Sequence, residues 1–250
     1  MKSPKILLWD LENSPLEGYS WDSYEANVFV EKDWYMMSFA AKWLGSSKVI
    51  CKALPDYSSY KKDKRDDKAL VLDIHKLINE ADILIAHNGD KFDIRKFNAR
   101  CLIHGIEPPD SYKTIDTLKE ARKHFKMTSN KLDELGRSLN VGRKMVHTGF
   151  DLWRRCMDGD KKAWQIMKKY NIQDVLLLER VYKKLRPWMK NTPNLNLWSR
   201  ENGCRNCGSN NLRKRGFEYT VSAEVQIWHC KDCGSLSREK LDKIRPIWMK

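Results

Sequence analysis

Lys5-Ile6-Leu7-Leu8-Trp9-Asp10-Leu11-Glu12, or KILLWDLE, is the stretch from which the rest of the chain can be read. Ile6 to Trp9 form an apolar run long enough for a buried strand. Two acids follow, Asp10 and Glu12, with Leu11 between them. Strand side chains alternate between faces, so the two carboxylates point the same way. Side by side at the end of a buried strand they repel each other. A divalent cation between them removes that repulsion, and carboxylate oxygens suit Mg²⁺ or Mn²⁺. D-x-E alone describes equally well a strand that runs out into a solvated acidic turn. The pair reads as a metal site only if the chain brings it further acids.

The length of 250 residues fits one medium domain plus a small one, and a hydrophobic fraction of 41% supports a real core. No run of about 18 apolar residues occurs, so no membrane span is expected. The start, MKSPKILLWD, turns acidic too early for a signal peptide, which points to a cytoplasm, that of a host if a phage encodes the chain. Lys and Arg number 47 against 33 Asp and Glu, a net charge of +14. A basic surface favours polyanions, of which nucleic acid is the commonest; the plain alternative is solubility charge. Ten tryptophans include candidates for base stacking, although most belong to a core.

The chain opens with strands: residues 5–10, then Ala26–Val30, Tyr35–Trp43 and, after the Gly45-Ser46-Ser47 turn, Lys48–Leu54. Residues 55–68 are polar and read as a surface loop. Leu70, Val71, Ile74, Leu77 and Ile78 recur at helical spacing, which predicts a helix over Asp67–Glu80. Asp82–Ala86 is a short buried strand, Phe92–His104 a helix and Ser111–Ile115 a last short strand. Thr114 or Asp116 caps the next helix, to about Phe125, and Ser129-Asn130 caps another over Lys131–Leu139. Residues 140–149 form a basic loop, in which Arg143 and Lys144 are candidate phosphate contacts. Phe150–Met157 is a short helix. Asp160–Leu185 reads as long helical structure with a candidate break near Tyr170, ended by Pro187. Strands followed by βα alternation imply a mixed sheet with helices packed on it.

Two later segments carry matching acids. Asn88-Gly89-Asp90-Lys91-Phe92-Asp93 follows the strand DILIA and opens a helix, placing Asp93 in the first turn, where a helix dipole also welcomes an ordinary acid. Tyr170-Asn171-Ile172-Gln173-Asp174 puts Tyr170 and Asp174 on one helix face, just before the apolar Val175, Leu176, Leu177, Leu178 and Val181. An acid at the mouth of a buried helix needs a partner, either a cation from Lys or Arg or a metal.

D-x-E after a first strand, N-G-x-x-F-D at a turn and Y-x-x-x-D on a late helix together resemble the three motifs of the DEDD 3′–5′ exonucleases, which have the ribonuclease H-like fold. Order and spacing resemble the proofreading domain of family B DNA polymerases and small stand-alone phage or bacterial relatives, over roughly residues 1–190. One subclass has His five residues before the last acid, where this chain has Lys169. The other has Tyr four before it, here Tyr170, so the chain resembles the tyrosine subclass. Asn13-Ser14-Pro15 stands where the family often has Thr-Thr-Gly or Thr-Ser-Pro, a segment that commonly meets the terminal nucleotide.

The resemblance implies two divalent ions about 3.5–4 Å apart. Asp10, Glu12 and Asp174 would bind the first; Asp10, with Asp93 through water, would bind the second. The first would acidify the attacking water, oriented by the Tyr170 hydroxyl, and the second would stabilise the leaving 3′ oxygen, releasing 5′-nucleoside monophosphates. Tyr170 itself, with a free pKa near 10, is a poor base at neutral pH. DNA is favoured over RNA as substrate. No polymerase palm motifs follow, so proofreading would need a polymerase or other replication or repair protein in trans. A non-catalytic nucleic-acid reader and a structure-specific endonuclease are the competing readings. Asp116 is a tempting fifth acid that reads better as a helix cap, and His87, His104 and His147 read as structural.

Cys51, Cys101 and Cys156 are scattered and read as small hydrophobes or free thiols. Cys204, Cys207, Cys230 and Cys233 form two C-x-x-C-G pairs, each trailing Gly permitting the tight turn with which two thiolates grip one ion. Without a secretion signal, this spacing reads as one tetrahedral Zn²⁺ site. It resembles a zinc ribbon, with Phe217–Trp228 alternating like strands and a structural role for the metal. The expected organisation is an exonuclease domain over 1–190, a linker over 191–200 and a zinc ribbon with a basic tail over 201–250.

Overall fold

A computed structural model describes residues 3–22, 28–190, 192–199, 202–221 and 223–240. Part of the expected strand Ala26–Val30, both ends of the expected linker and the basic tail lie outside these residues. Two compact units are present, Lys5–Val181 and a second that comprises the residues before Lys5 and those from Tyr182 onward.

In the first unit the strands are β1 (Ile6–Asn13), β2 (Glu17–Tyr19), β3 (Phe29–Lys32), β4 (Met36–Trp43), β5 (Val49–Ala53), β6 (Ile83–Ala86) and β7 (Lys113–Asp116). The helices are α1 (Lys68–Asn79), α2 (Asp93–Ile103), α3 (Thr117–His124), α4 (Leu132–Ser138), α5 (Phe150–Asp158) and α6 (Lys161–Leu185). The main sheet has the order β5-β4-β1-β6-β7, with β4 and β5 antiparallel and β6 and β7 parallel to their neighbours. Hairpin-connected strands come first, where short turns force antiparallel pairing. The later strands are joined through α1 and α2, which lets them run parallel. This is the mixed, helix-flanked, ribonuclease H-like sheet the sequence implied.

The KILLWDLE run fills the centre. Leu7, Leu8 and Trp9 are inaccessible to solvent, and the Trp9 ring meets Phe97 of α2 edge to face at 6.1 Å. Leu70, Val71, Ile74 and Ile78 of α1 are buried, as their spacing predicted. α6 seats Val175, Leu177, Leu178 and Val181 in the core. A buried ion pair, Lys42 Nζ to Glu179 Oε2 at 2.6 Å, ties β4 to this helix.

Several local expectations change. β1 does not end at Asp10 but carries both acids inside the strand, because β4 pairs with it as far as Asn13. Residues 17–19 and 29–32 form a two-stranded hairpin, β2–β3, only part of which was expected. The loop after β5 contains two short 3₁₀ turns, Leu54–Asp56 and Ser58–Lys61. Asp116 does cap α3, its Oδ1 accepting from Leu118 N and Lys119 N at 3.0 and 3.3 Å. Ser129-Asn130 does not cap α4, which starts at Leu132 with Lys131 as its N-cap; the Ser129 hydroxyl accepts from Lys131 N instead. α6 runs unbroken through Tyr170 for 25 residues.

The second unit holds a short helix, α7 (Asn196–Ser199), and a three-stranded antiparallel sheet of β8 (Leu212–Tyr219), β9 (Glu224–Cys230) and β10 (Leu236–Lys240), in the order β10-β9-β8. Asn206 is buried and anchors the unit, its Nδ2 donating to Met189 O, Arg186 O and Ser235 Oγ at 3.1–3.2 Å.

Candidate active site and candidate zinc site

β6 pairs with β1 only along Ile6, Leu7 and Leu8, so the second half of β1 has a free edge on that side. The turn after β6 fills it. Asn88 has φ 67°, a left-handed conformation that Asn tolerates better than most residues. A Cβ on Gly89 would come within 2.4 Å of the Ala86 Cβ, so glycine is required there. Asn88 N donates to Asp116 Oδ1 at 2.9 Å, tying the turn to β7. The Asn-Gly pair thereby delivers Asp93, at the start of α2, to β1, where its Oδ1 accepts from Leu11 N at 3.1 Å. The carboxylate takes the backbone donor that lies between the two acids of the D-x-E.

Asp10, Glu12 and Asp174 each offer an oxygen within 4.8 Å of the others. α6 brings Asp174 there by burying its apolar face, and Asn171 on the same helix donates to Asp10 Oδ2 at 2.7 Å and to the Asp10 carbonyl at 3.4 Å. Asn171 is wholly buried; it also accepts from Ser38 Oγ at 3.1 Å. Tyr170 lies one turn before Asp174, as the spacing required.

The electrostatics record the crowding. Burial, then the charges of Glu12, Asp93 and Asp174, lift the Asp10 carboxyl well above the usual carboxylate range. Burial and the nearby Asp174 push Glu12 up to about 8. Burial raises Asp93 to about 6, against hydrogen bonds from the backbone N–H groups of Leu11 and of Asp93 itself. Asp174 is raised too, by burial, although Lys144 pulls the other way. The Tyr170 hydroxyl is raised by burial and then by Asp174 and Glu12, so it stays protonated.

Lys144 is the charge that partly answers these acids. Its Nζ donates to Asp174 Oδ2 at 2.6 Å and to the Tyr170 oxygen at 3.1 Å. Burial lowers its pKa, but the charges of Asp174 and Asp10 outweigh burial and raise it above the usual ammonium value. The basic-loop reading chose this residue for phosphate; the structure places it against the carboxylates. Three further neighbours were not assigned to the site from the sequence. Trp153 of α5 lies close enough to Glu12 to lower its carboxyl pKa slightly, against burial. His147 stacks edge-on to Tyr170 at 4.7 Å, and Trp153 to Tyr170 at 5.9 Å. Asn171 was visible only as a polar residue inside an apolar helix, which by itself demands a buried partner.

Asp116 stays outside the three-acid group and serves the Asn88 turn and α3, as the cap reading had it. His87 bridges Thr117 Oγ1 and the Asn130 carbonyl at 2.9 and 3.0 Å, and burial lowers it to about 4, so it is a neutral structural histidine. His104 and Arg100 surround the buried Asp67.

The donor set suits hard divalent cations. It is all oxygen, its carboxylates outnumber the Lys144 ammonium, and Asp174 Oδ1 is buried without a hydrogen-bond partner among the described residues. A cation there would offset both the burial and the mutual repulsion that lift the carboxyl pKa values.

In the second unit, Cys204, Cys207, Cys230 and Cys233 bring their sulfurs within 4.8 Å of one another. The two knuckles match. Gly208 N donates to Cys204 O at 2.7 Å and Gly234 N to Cys230 O at 3.0 Å, and both glycines have φ 77°, the left-handed turn anticipated from C-x-x-C-G. All four cysteines are free thiols, and four sulfurs so clustered fit a tetrahedral zinc site.

Comparison with known proteins agrees with this architecture. The sequence model of the RNase H superfamily matches residues 42–186. Among solved structures, the family B DNA polymerase from the hyperthermophilic archaeon Pyrobaculum calidifontis superposes with a TM-score of 0.55 at 14% identity. The match covers 88% of this chain and 32% of that polymerase, a likeness of fold. The curated proteins contain no match. With the sheet order, the acids of β1 and the family match in agreement, the chain belongs to the RNase H superfamily.

Proposed function

We propose that this protein is a divalent-cation-dependent 3′–5′ exonuclease of the DEDD tyrosine subclass, acting on nucleic acid, with DNA favoured. The observation that carries this reading is the convergence of Asp10, Glu12 and Asp174, with Asp93 on the β1 edge and Tyr170 one helical turn from Asp174. Superfamily membership supports a nuclease in general.

Asp10, Glu12 and Asp174 would hold one Mg²⁺ or Mn²⁺, and Asp10 with Asp93 a second. When bound, such ions acidify a water and neutralise charge on the scissile phosphate and the leaving oxygen. The protein's own groups do the rest. Tyr170 keeps its proton and acts as a hydrogen-bond donor that orients the nucleophile, not as a base. Asn171 and the Leu11 N–H fix the rotamers of Asp10 and Asp93. Lys144 is placed to leave Asp174 for a phosphate oxygen once cations neutralise the acids. Trp153 and His147 pack edge-on against the Tyr170 ring and restrict the direction of its hydroxyl.

In this reading residues 1–190 form the nuclease domain, 191–200 a linker and 201–250 a zinc ribbon whose Zn²⁺ is structural. The experiment is hydrolysis of a single-stranded oligonucleotide by wild type and by Asp10→Ala, with and without Mg²⁺ or Mn²⁺. Wild type should cut only with the cation and the variant not at all. Cutting by Asp10→Ala at the wild-type rate would remove the assignment.

A further inference from the structure

The zinc-bearing unit has a sheet face whose construction has no role in holding the metal. Along β8 the residues Arg213, Lys214 and Arg215 are consecutive cations, and Phe217 and Tyr219 follow. Three-residue spacing from Lys214 to Phe217 would place these two on opposite faces of a regular strand. A bulge changes that. Lys214 pairs with Trp228 and Gly216 with Ile227, so Arg215 is the extra residue and Phe217 falls opposite Gln226, with Tyr219 opposite Glu224. Cross-strand partners share a face, so Lys214, Trp228, Phe217 and Tyr219 line one side of the hairpin.

The bulge is locked. Gly216 adopts φ 107°, closed to other residues without strain, and its carbonyl accepts from Gln226 Nε2 at 2.6 Å. The rings so aligned are open to solvent. Phe217 is 52% exposed and Tyr219 73% exposed, while Lys214 Nζ lies 5.6 Å from the centre of the half-buried Trp228 ring. Among the described residues two acids share the face: Glu239 accepts from Trp228 Nε1 at 2.7 Å, and Glu224 lies opposite Tyr219 across the strands and raises its hydroxyl pKa.

We propose that this face of the β8–β9 hairpin is a binding platform for single-stranded nucleic acid, with bases stacked on Phe217 and Tyr219 and phosphates met by Lys214 and Arg215. Exposed rings spaced along a strand suit successive bases of any sequence, and adjacent cations suit the backbone that joins them. A duplex hides the faces of its bases, so the rings discriminate in favour of single strands. An acidic protein segment would meet the same cations but would gain nothing from the paired rings.

The test reads binding to a strand that cannot be cut, so its outcome is separate from that of the proposed hydrolysis. Full-length, zinc-loaded protein is titrated, without added Mg²⁺ or Mn²⁺, against a fluorescent phosphorothioate single strand, and anisotropy is recorded over a range of salt. Phe217→Ala combined with Tyr219→Ala should weaken binding about 5- to 150-fold for each stacked base lost. Lys214→Gln combined with Arg215→Gln should make the slope of log affinity against log salt shallower by about 1.4. Wild type should bind an abasic strand of equal length as weakly as the ring variant binds the natural one. Zinc content and melting temperature equal to wild type establish that each variant is folded, as is expected for exposed side chains. Unchanged affinity in the folded ring variant, an unchanged salt slope in the charge variant, or equal wild-type affinity for abasic and natural strands would overturn the platform.

Discussion

The acid cluster makes a quantitative demand on stability that Glu12→Gln isolates. Glu12 is buried beside Asp174 and its carboxyl is held at about 8, against an ordinary value of 4.5. The folded state therefore binds this proton more tightly than the unfolded chain does. Its contribution is fully present below about 4.5 and is lost as pH rises through 8. His87 works in the opposite sense, since burial lowers it from 6.5 to about 4, but it is neutral in both states above 6.5. Between those limits, pH 6.5 and 8, the metal-free protein should lose about 2 kcal/mol through Glu12. That corresponds to roughly 4–8 °C in melting temperature for a domain of this size. Asp10, also raised, adds in the same direction, although the two shifts share one mutual repulsion and do not sum. The assay is a pair of thermal melts at the two pH values for wild type and Glu12→Gln, zinc-loaded and free of other divalent ions. Comparison of the two proteins cancels the titrating groups that do not interact with Glu12, so the difference reports Glu12 together with its coupling to the neighbouring acids. Wild type should fall more steeply, and Mg²⁺ at about 100 times its dissociation constant should restore about 2.7 kcal/mol to wild type at the higher pH and less to the variant. Parallel pH slopes in the two proteins would refute the buried, mutually repelling cluster.

Other outcomes follow from the same geometry. Asp10→Ala or Asp174→Ala should reduce hydrolysis by more than about 100-fold, the upper range for loss of an outer-shell metal partner, while strand binding measured by anisotropy persists. Tyr170→Phe removes one hydroxyl from an otherwise intact site and should slow single-turnover cleavage about 10-fold at saturating metal; an unchanged rate would deny Tyr170 its orienting role. Elemental analysis should find one zinc per chain, and Cys204→Ser should abolish it and broaden amide signals from β8–β10. Protein purified without chelator that carries no zinc would contradict the ribbon.

How much of this was legible in the sequence depended on how local each signal is. Ile6–Trp9, the α1 period and the two C-x-x-C-G knuckles express short-range rules of alternation, helical spacing and left-handed glycine, and they stand as read. The Asn88-Gly89 turn was legible as a turn, but its reason, the approach to Ala86, is a fact of packing. β1 ran longer than its apolar run because pairing with β4, not hydrophobicity, carries the strand through both acids. The candidate break at Tyr170 did not occur, because Asn171 finds Asp10 and Ser38 as partners and the helix stays whole. Glu17–Tyr19 is too short and Gly-containing to read as a strand; its pairing with β3 makes it one. Lys144, His147 and Trp153 join the site across long stretches of chain, and no spacing rule connects them with Glu12 or Tyr170.

The most direct measurement is a time course on one oligonucleotide labelled separately at its 5′ and its 3′ end, with Mg²⁺ or Mn²⁺ present. The 5′ label should pass down a ladder that shortens one nucleotide at a time, while the 3′ label appears at once as a mononucleotide. Early internal fragments, or a ladder shortening from the 5′ end, would contradict a 3′–5′ exonuclease built on Asp10, Glu12, Asp93 and Asp174.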